Sequence, residues 1–183
     1  MIFDVIIIGG GASGLFCAIT AGKRERNVLV LESSNKLGKK ILMSGGGRCN
    51  FTNLNIEPEY YISANPHFCK SALNRYTQWD FIKMVENHGI AFEERKHGQL
   101  FCKGSAKEIL MMLRNECDKA AVKIHTHCEV TSITAPEYNI ENQYILNTSL
   151  GKIRAKSLVI ASGGLSIPKM GATGFAHDVA RKF

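Results

Sequence analysis

The sequence of 183 residues contains no apolar run that approaches the roughly 20 residues a helix needs to cross a lipid bilayer. Its first residues, Met1 to Asp4, lack the basic segment and the small-residue cleavage site of a secretion signal. The six cysteines include no C-x-x-C pair, so neither a disulfide framework nor a zinc site is indicated. The chain also has no internal repeat and no low-complexity segment. These absences predict a cytoplasmic protein without a membrane anchor or a metal site.

Composition and charge leave the class of partner open. Apolar residues make up 45% of the chain, which is enough for the core of a globular domain. The formal net charge is +7, from 23 basic and 16 acidic residues. This excess could offset the pyrophosphate of a dinucleotide or face an anionic partner such as RNA. A solvated basic surface explains it just as simply.

The N-terminal segment predicts a β-α-β unit. Residues 5–8 form a continuous apolar, β-branched run, as in a strand buried on both faces of a parallel sheet. Three glycines at 9–11 then force a turn, and an apolar-periodic helix follows. Residues 28–31 predict the second buried strand, with Glu32 at its carboxyl end.

The middle of the chain is less regular. Residues 33–66 are rich in Gly, Asn, Ser and Lys with little periodicity, which predicts a long functional loop. Helices are predicted to begin after Thr77, an N-cap, and at a capping box in residues 105–108. Two short strands are predicted within 90–102, and residues 123–128 predict a strand that rejoins the parallel sheet.

The last third of the chain predicts a β-meander. Its strands are residues 130–134, 144–148 and 153–161, with turn residues between them, and the last strand is apolar enough to return to the core. A helix is then predicted to begin near Thr173. No closing strand follows, so we expect residues 1–183 to be the N-terminal part of a longer protein.

The strongest chemical signal is a G-x-G-x-x-G motif between the first strand and the helix, with an acidic residue ending the next strand. That context is typical of a dinucleotide-binding Rossmann fold. The first glycine permits the turn, the second lets a pyrophosphate approach the backbone, and the third lets the helix pack closely on the strand. The helix N-terminus offers N–H groups to phosphates, and the acidic residue can accept hydrogen bonds from a ribose. The predicted contacts are Gly9, Gly11, Ala12, Ser13, Gly14, Glu32 and Ser33.

The layout after the second strand favours FAD over NAD. An NAD-type domain continues with another α-β unit, whereas this chain enters a polar loop and later a β-meander. That layout resembles the flavoproteins of the glutathione-reductase type. The resemblance implies an α/β fold, a Rossmann-like FAD-binding domain with an inserted β-meander. It also implies that the segment around Val130 contacts adenine and that the turn of Ala161, Ser162 and Gly163 lies near the cofactor.

Two longer segments resemble one family. Residues 37–53 (LGKKILMSGGGRCNFTN) and 163–174 (GGLSIPKMGATG) are similar to the signatures of the HI0933-like flavoproteins. The resemblance spans nearly the whole chain. Members of that family insert a second, β-rich domain after this point and return to the FAD domain with a final segment, so the resemblance implies that residues 1–183 are the N-terminal part of the FAD-binding domain.

The same resemblance implies a function. It predicts a flavin-dependent oxidoreductase that uses NAD(P)H and reduces an activated C=C bond, in a small enone or in a uridine of ribosomal RNA. The sequence departs from the family's usual pattern at two places, and both concern the substrate side of the protein only. Residues 174–176 are Gly-Phe-Ala where many members have Gly-Asp-Gly, and residues 98–102 replace a more usual Gly-Arg-x-Phe-Pro.

The first signature also supplies candidate cofactor contacts. Backbone N–H groups of its Ser-Gly-Gly-Gly stretch can converge on an anion or on flavin carbonyl groups. Its arginine is a planar donor suited to phosphate or to negative charge on a reduced flavin. Its two lysines could reach the pyrophosphate or the ribose. The predicted contacts are Lys39, Lys40, Ser44, Gly45, Gly46, Gly47 and Arg48.

Only one residue is a candidate for direct chemistry, and it is a weak one. Cys49 follows Arg48, and an adjacent cation would lower the pKa of its thiol. Without a second cysteine at C-x-x-C or C-x4-C spacing, a disulfide reductase is not indicated. His125 and His127 lie two apart on a predicted strand and hence on one face, but no third metal ligand is near, so structural roles are favoured.

Two other functions stay open at this point. One is an FAD-dependent amine or aminoketone oxidase that passes electrons to oxygen. The other is an FAD-binding, RNA-associated protein without turnover. The sequence indicates neither the substrate, the oligomeric state nor the choice between NADH and NADPH.

Overall fold

A six-stranded sheet forms the centre of the first of two units in the computed structural model, which describes residues 2–138, 143–167 and 173–183. The first unit comprises residues 1–40 and 113–183, and the second comprises residues 41–112. In chain order the elements are β1 (Ile2–Ile8), α1 (Ala12–Gly22), β2 (Val28–Leu31), α2 (Lys39–Met43), β3 (Asn50–Asn53), α3 (Lys70–Arg75), α4 (Gln78–Asn87), β4 (Phe92–Glu94), β5 (Gln99–Cys102), α5 (Ala106–Lys119), β6 (Lys123–His125), β7 (Val130–Thr134), β8 (Tyr144–Thr148), β9 (Gly151–Ile160) and α6 (Phe175–Lys182).

The sheet of the first unit has the strand order β6-β2-β1-β9-β8-β7. Strands β6, β2, β1 and β9 are parallel, and β8 and β7 continue the sheet in antiparallel fashion. The three predicted meander segments therefore pair in sequence, and β9 returns to lie beside β1. This arrangement confirms the predicted α/β fold of the Rossmann type with an inserted meander.

Burial of the central strands explains the topology. In β1 and β2, successive residues such as Ile6, Ile7, Leu29 and Val30 are almost inaccessible to solvent. Strands buried on both faces are a feature of parallel sheets whose crossover connections cover the faces. The continuous apolar runs seen in the sequence are thus the consequence of a central position in the sheet.

Helix α1 connects β1 to β2 and buries Leu15, Ala18 and Ile19. Its N-cap is Gly11, which has no side chain to cap the first N–H groups. The first turn of α1 therefore keeps its donors available at the carboxyl end of β1.

The second unit contains a three-stranded antiparallel sheet with the order β3-β5-β4. The expectation of one long loop over residues 33–66 is wrong, because this segment contains α2, β3 and two short 3-10 helices. Strand β3 has the polar sequence Asn-Phe-Thr-Asn and anchors itself through Phe51, whose ring packs against Phe81 and Phe92 at centroid distances of 6.0 and 5.6 Å. One half-buried aromatic in four residues is too weak a pattern to predict a strand.

The predicted helix starts are found where expected. Thr77 and Asp80 form a complete capping box at α4, in which each accepts a backbone hydrogen bond from the other. At α5 the Glu108 carboxylate accepts a bond from Ser105 N–H at 2.9 Å, while the Ser105 hydroxyl accepts from Lys107 N–H at 3.2 Å. The second contact is one residue short of a full capping box.

Within the described ranges, none of the helices combines the length and the apolar character required to cross a bilayer.

Candidate nucleotide-binding site

The glycine-rich turn lies at the carboxyl end of β1, and two of its glycines are fixed by close packing. Gly9 has a φ of +117°, and a Cβ there would collide with the backbone oxygen of Ala161. A Cβ on Gly14 would collide with the backbone oxygen of Gly9. Gly9 must lack a side chain because the turn after β9 packs against it, and Gly14 must lack one because helix α1 packs against Gly9 at this point.

Gly11 differs from these two because the space beside it is open. A Cβ at Gly11 would meet no atom within 4 Å. Nothing in the protein's own packing of the described residues therefore requires glycine at this position. The absence of a side chain leaves the N-terminus of α1 accessible to an outside group, as a pyrophosphate requires.

Glu32 is held in the turn by two backbone donors. Its Oε2 accepts a hydrogen bond from Gly10 N–H, and its Oε1 accepts one from Ser34 N–H, both at 2.8 Å. Each carboxylate oxygen can accept a second hydrogen bond. The remaining lone pairs can therefore meet the hydroxyl groups of a ribose, as predicted for this residue.

A basic side chain lies on the other side of the turn. Gly38 N–H donates to Gly10 O at 2.9 Å, which fixes the segment before α2 against the glycine-rich turn. From this segment Lys40 reaches Ser166 with its Nζ 2.9 Å from the hydroxyl oxygen. A Cβ on Gly163 would stand 3.5 Å from the same Nζ. The ammonium group thus lies at the turn that follows β9.

The segment between β6 and β7 is joined to the residues after β2. His127 N–H donates to Ser34 O, and Cys128 N–H donates to Glu32 O, both at 3.0 Å. Val130, the first residue of β7, packs against the same buried cluster as Leu31. The backbone around Val130 is therefore tied to the Glu32 segment.

The structure brings most of the predicted residues of the first unit to one sheet edge, where β1, β2 and β9 all end. Ala161 N–H donates to Ile8 O at 2.8 Å, so the turn of residues 161–163 begins directly beside the glycine-rich turn. Ala12 lies in the exposed first turn of α1. Also exposed or half-buried near this edge are Ser13, Ser33, Lys39 and Ser162.

Sequence reasoning missed three contributors to this edge. Gly10 donates its N–H to Glu32, and a Cβ on it would collide with Leu37. Gly38 and Ser166 hold the segment before α2 and the Lys40 side chain. The run of three glycines was a signal for Gly10, whereas the other two depend on tertiary packing. Residues 168–172 of the second signature lie outside the described residues.

In the second unit, the Ser-Gly-Gly-Gly stretch forms a 3-10 helix over Ser44–Gly47. Its three glycines have φ values of +57°, +66° and +86°. A Cβ on Gly45 would stand 2.6 Å from the Phe101 ring, while Gly46 faces open space. The open space beside Gly46 leaves the backbone of this loop accessible to an outside group.

Arg48 closes this loop and is only partly free. Its Nη1 lies 3.6 Å from Glu93 Oε1, and Glu93 also holds Arg95 at 2.9 Å. About half of the Arg48 side chain is exposed. Since one carboxylate is shared between two guanidinium groups, Arg48 keeps donors for an additional anionic group.

The pKa of Cys49 shifts in the direction opposite to the one expected from its neighbour Arg48. The residue is buried, and the loss of hydration raises the pKa of its thiol, an effect that a hydrogen bond with Ser44 only partly opposes. The raised pKa disfavours the thiolate that redox or nucleophilic chemistry requires. Burial has the largest effect on this pKa because a thiolate in an apolar site loses its water.

The two histidines also differ from the expectation. His125 ends β6, whereas His127 lies beyond the strand with a φ of +54°, so they do not share a strand face. Among residues 2–138, 143–167 and 173–183 there is no cluster of three His, Cys, Asp or Glu side chains that could hold a metal ion.

The arrangement in the first unit fits a dinucleotide. The helix N-terminus has no side-chain cap and is unobstructed at Gly11, a carboxylate with spare acceptors lies beside the glycine-rich turn, and a lysine lies at the next strand end. These donors and acceptors match a pyrophosphate and a ribose diol, respectively.

Comparisons with known proteins agree with this fit. The family description "HI0933-like protein Rossmann domain" matches residues 3–183. The ribosomal RNA dihydrouridine synthase of Escherichia coli is 51% identical over 99% of this chain and 44% of its own length. The 3-dehydro-bile acid delta(4,6)-reductase of Clostridium scindens is 28% identical over 96% of this chain and 42% of its own length.

Solved structures show the same fold. The 3-ketosteroid-delta4-(5alpha)-dehydrogenase of Rhodococcus jostii matches 90% of this chain and 46% of its own with a TM-score of 0.60 and 16% sequence identity. The chain spans less than half of the length of the curated relatives named above. The match over residues 3–183 shows that this chain belongs to the HI0933-like family.

Proposed function

We propose that this chain binds FAD and that the protein is a flavin-dependent oxidoreductase, which takes electrons from NAD(P)H and reduces the C=C bond of a uridine in ribosomal RNA. The observation that carries the proposal is the open approach at Gly11, between two glycines that the packing itself demands. A glycine that no neighbour requires is explained by a ligand that must come close.

The first unit supplies the contacts for the ADP half of the cofactor. The pyrophosphate would accept hydrogen bonds from the N-terminus of α1 at Gly11, Ala12 and Ser13, where the helix dipole also favours negative charge. Glu32 would accept from the adenosine ribose, with Ser33 beside it. Adenine would lie along the backbone at Val130. We propose that residues 1–183 all belong to the FAD-binding domain.

The remaining candidates would serve the rest of the cofactor. Lys40 at the turn of residues 161–163 would contribute positive charge, and Lys39 begins the same helix. In the second unit, the Ser44–Gly47 loop and Arg48 would donate to an anionic or carbonyl group. FAD supplies two-electron chemistry when bound, and the protein's part is to bind it, orient it and adjust its electronic properties.

RNA is favoured over a small enone as the acceptor for two reasons. The relative named for ribosomal RNA is 51% identical, while the relative named for a bile acid is 28% identical. The net charge of +7 also falls mostly on the first unit, which has fifteen basic and nine acidic residues, against eight and seven in the second. A basic surface attracts a polyanion such as RNA far more strongly than a steroid acid that carries a single carboxylate.

The test is an anaerobic reaction of the purified, FAD-loaded protein with NADPH, followed by addition of an unmodified ribosomal RNA transcript or a steroid enone. The proposal predicts that NADPH bleaches the flavin, that RNA restores its colour, and that uridine in the RNA gains two hydrogen atoms by mass spectrometry. Restoration by the enone alone would contradict the RNA assignment. A flavin that NADPH leaves oxidised but an amine reduces would favour an oxidase instead.

A further inference from the structure

A groove in the second unit lies among residues that the nucleotide-binding site does not use. Its volume is about 460 Å³, within the range of small-ligand sites. The lining combines two amides, two phenols, an imidazole and one aliphatic side chain: Asn53, Asn55, Ile56, Tyr60, Tyr61 and His97. We propose that this groove binds an unpaired base of the RNA, an inference that rests on the proposed RNA function.

The floor of the groove is formed by two backbone segments, residues 53–55 and 97–98, which are joined by hydrogen bonds. Asn53 donates from Nδ2 to His97 O at 2.9 Å, and its Oδ1 accepts from Asn55 N–H at 2.8 Å. Leu54 N–H donates to Gly98 O at 2.8 Å. The Asn53 amide therefore makes its hydrogen bonds within the protein, and these bonds keep the neighbouring residues in place.

The second amide is available. The Asn55 side chain is exposed and makes no hydrogen bond within the part of the chain that the structure describes. An amide offers both a donor and an acceptor, and it can pair with a base edge that presents the complementary groups. Uracil presents such an edge, with two carbonyl oxygens beside its N–H.

The wall of the groove carries the two phenol rings on an ordered turn. Tyr60 N–H donates to Glu57 O, and Tyr61 N–H donates to Pro58 O, both at 3.1 Å. Yet the Tyr60 and Tyr61 residues are 68% and 45% exposed. Rings presented to solvent from a fixed backbone are what stacking on an unpaired base requires.

Two further contacts hold the floor segment and the tyrosine turn, respectively. Gln78 donates from Nε2 to Leu54 O at 3.1 Å, and the Cys69 thiol lies 3.7 Å from Pro58 O. The groove is therefore held in shape before any ligand arrives, so a base would lose less free energy in ordering the site.

Charge distinguishes this surface from a phosphate-binding one. Of the described residues that line the groove, none has an acidic or basic side chain apart from the imidazole of His97, and the unit as a whole has eight basic and seven acidic residues. Phosphate contacts would make affinity fall steeply with salt. We therefore expect the groove to contribute base stacking and edge recognition, and to leave the salt dependence of RNA binding to other residues.

The experiment measures binding of a fluorescent, single-stranded, uridine-rich RNA oligonucleotide to the FAD-loaded protein by anisotropy at several salt concentrations. Tyr61→Leu and Asn55→Ala should each weaken binding, Tyr61→Leu by roughly tenfold, with an unchanged salt slope. Tyr61→Phe, which keeps the ring, should bind within about twofold of the parent. Phe68→Leu is the control, because Phe68 is a 76% exposed ring outside the groove lining.

Each other outcome overturns the inference in a recognisable way. If the parent protein binds RNA and the groove variants bind equally well, the groove is not the base site, and the RNA function stands. If the parent protein binds no RNA at all, the RNA function fails together with the groove. If Tyr61→Leu loses FAD or melts at a clearly lower temperature while Phe68→Leu does not, the tyrosines serve packing against protein instead.

Discussion

The Gly10 N–H donates a hydrogen bond of 2.8 Å to Glu32 Oε2, so the glycine-rich turn after β1 is joined to the acidic residue after β2. This bond fixes the carboxylate beside the N-terminus of α1. It also links the two parts of the dinucleotide motif before a ligand binds. Several substitutions test the consequences.

Glu32→Gln should weaken FAD binding by about tenfold or more, since hydrogen bonds to a charged group contribute about 1.5–3 kcal/mol. The amide has one oxygen, so its NH2 group would face one of the two backbone donors, from Gly10 or Ser34. The measurement is a titration of the apoprotein with FAD. Glu86→Gln, on the exposed side of α4, is the matched control and should bind as the parent does.

Gly11→Ala and Gly14→Ala should both lose FAD binding, but for different physical reasons. At Gly14 the new Cβ meets the backbone of Gly9, so we expect a lower melting temperature together with loss of FAD. At Gly11 the Cβ meets no atom of the protein within 4 Å, so the apoprotein should melt as the parent does while FAD binding is lost. Thermal denaturation with and without FAD separates the two cases. A Gly11→Ala variant that binds FAD normally would show that no phosphate approaches there.

Lys40→Met should reduce FAD affinity, and the loss should be largest at low ionic strength, because the ammonium acts on the cofactor by charge. Lys36→Met removes the same charge from an exposed position four residues before Lys40 and is the control. Affinities measured at two salt concentrations give the comparison. If both variants bind FAD with equal affinity, Lys40 does not contribute to FAD binding.

Cys49→Ser should leave turnover within about twofold of the parent, since burial raises the pKa of the Cys49 thiol and disfavours its reactive form. Native alkylation with iodoacetamide at neutral pH should accordingly be slow at Cys49 and fast only after denaturation. The readout is peptide mass spectrometry over time. A large loss of turnover with normal FAD content would restore Cys49 as a catalytic residue.

Stability should fall with rising pH above about 9. Burial raises the pKa of both Cys102 and Cys117 from 9.0 to about 11. Between these values the unfolded thiols release protons that the folded thiols retain, so alkaline pH favours the unfolded state. Below about 9 neither state is ionised and these groups contribute no pH dependence. Denaturant titrations between these limits give the slope, which Cys102→Ala should reduce.

The strands and the glycine-rich turn that bring the candidate nucleotide-binding residues together were predictable because their signals are local. The apolar runs of β1 and β2 and the glycines at 9, 11 and 14 each have one dominant physical explanation. The meander was also predictable, because alternating strands and turn residues mark its three segments. The same applies to the Thr77 cap of α4, whose partner Asp80 lies only three residues away.

What the sequence could not show depends on contacts between distant residues. Strand β3 is stabilised by the ring of Phe51 against Phe81 and Phe92, neither of which is visible in its own four residues. The pKa of Cys49 was predicted from its neighbour in the chain, whereas its burial depends on the fold around it. The Lys40–Ser166 contact spans 126 positions and had no local signal.

The most direct test of the central claim is the visible absorption spectrum of the purified protein, compared with that of its Gly11→Ala variant after incubation with FAD and gel filtration. We predict that the parent protein carries the two visible bands of oxidised flavin and that the variant, equally well folded by circular dichroism, is colourless. A parent protein that stays colourless after incubation with FAD would contradict the account, and so would a variant that is as yellow as the parent.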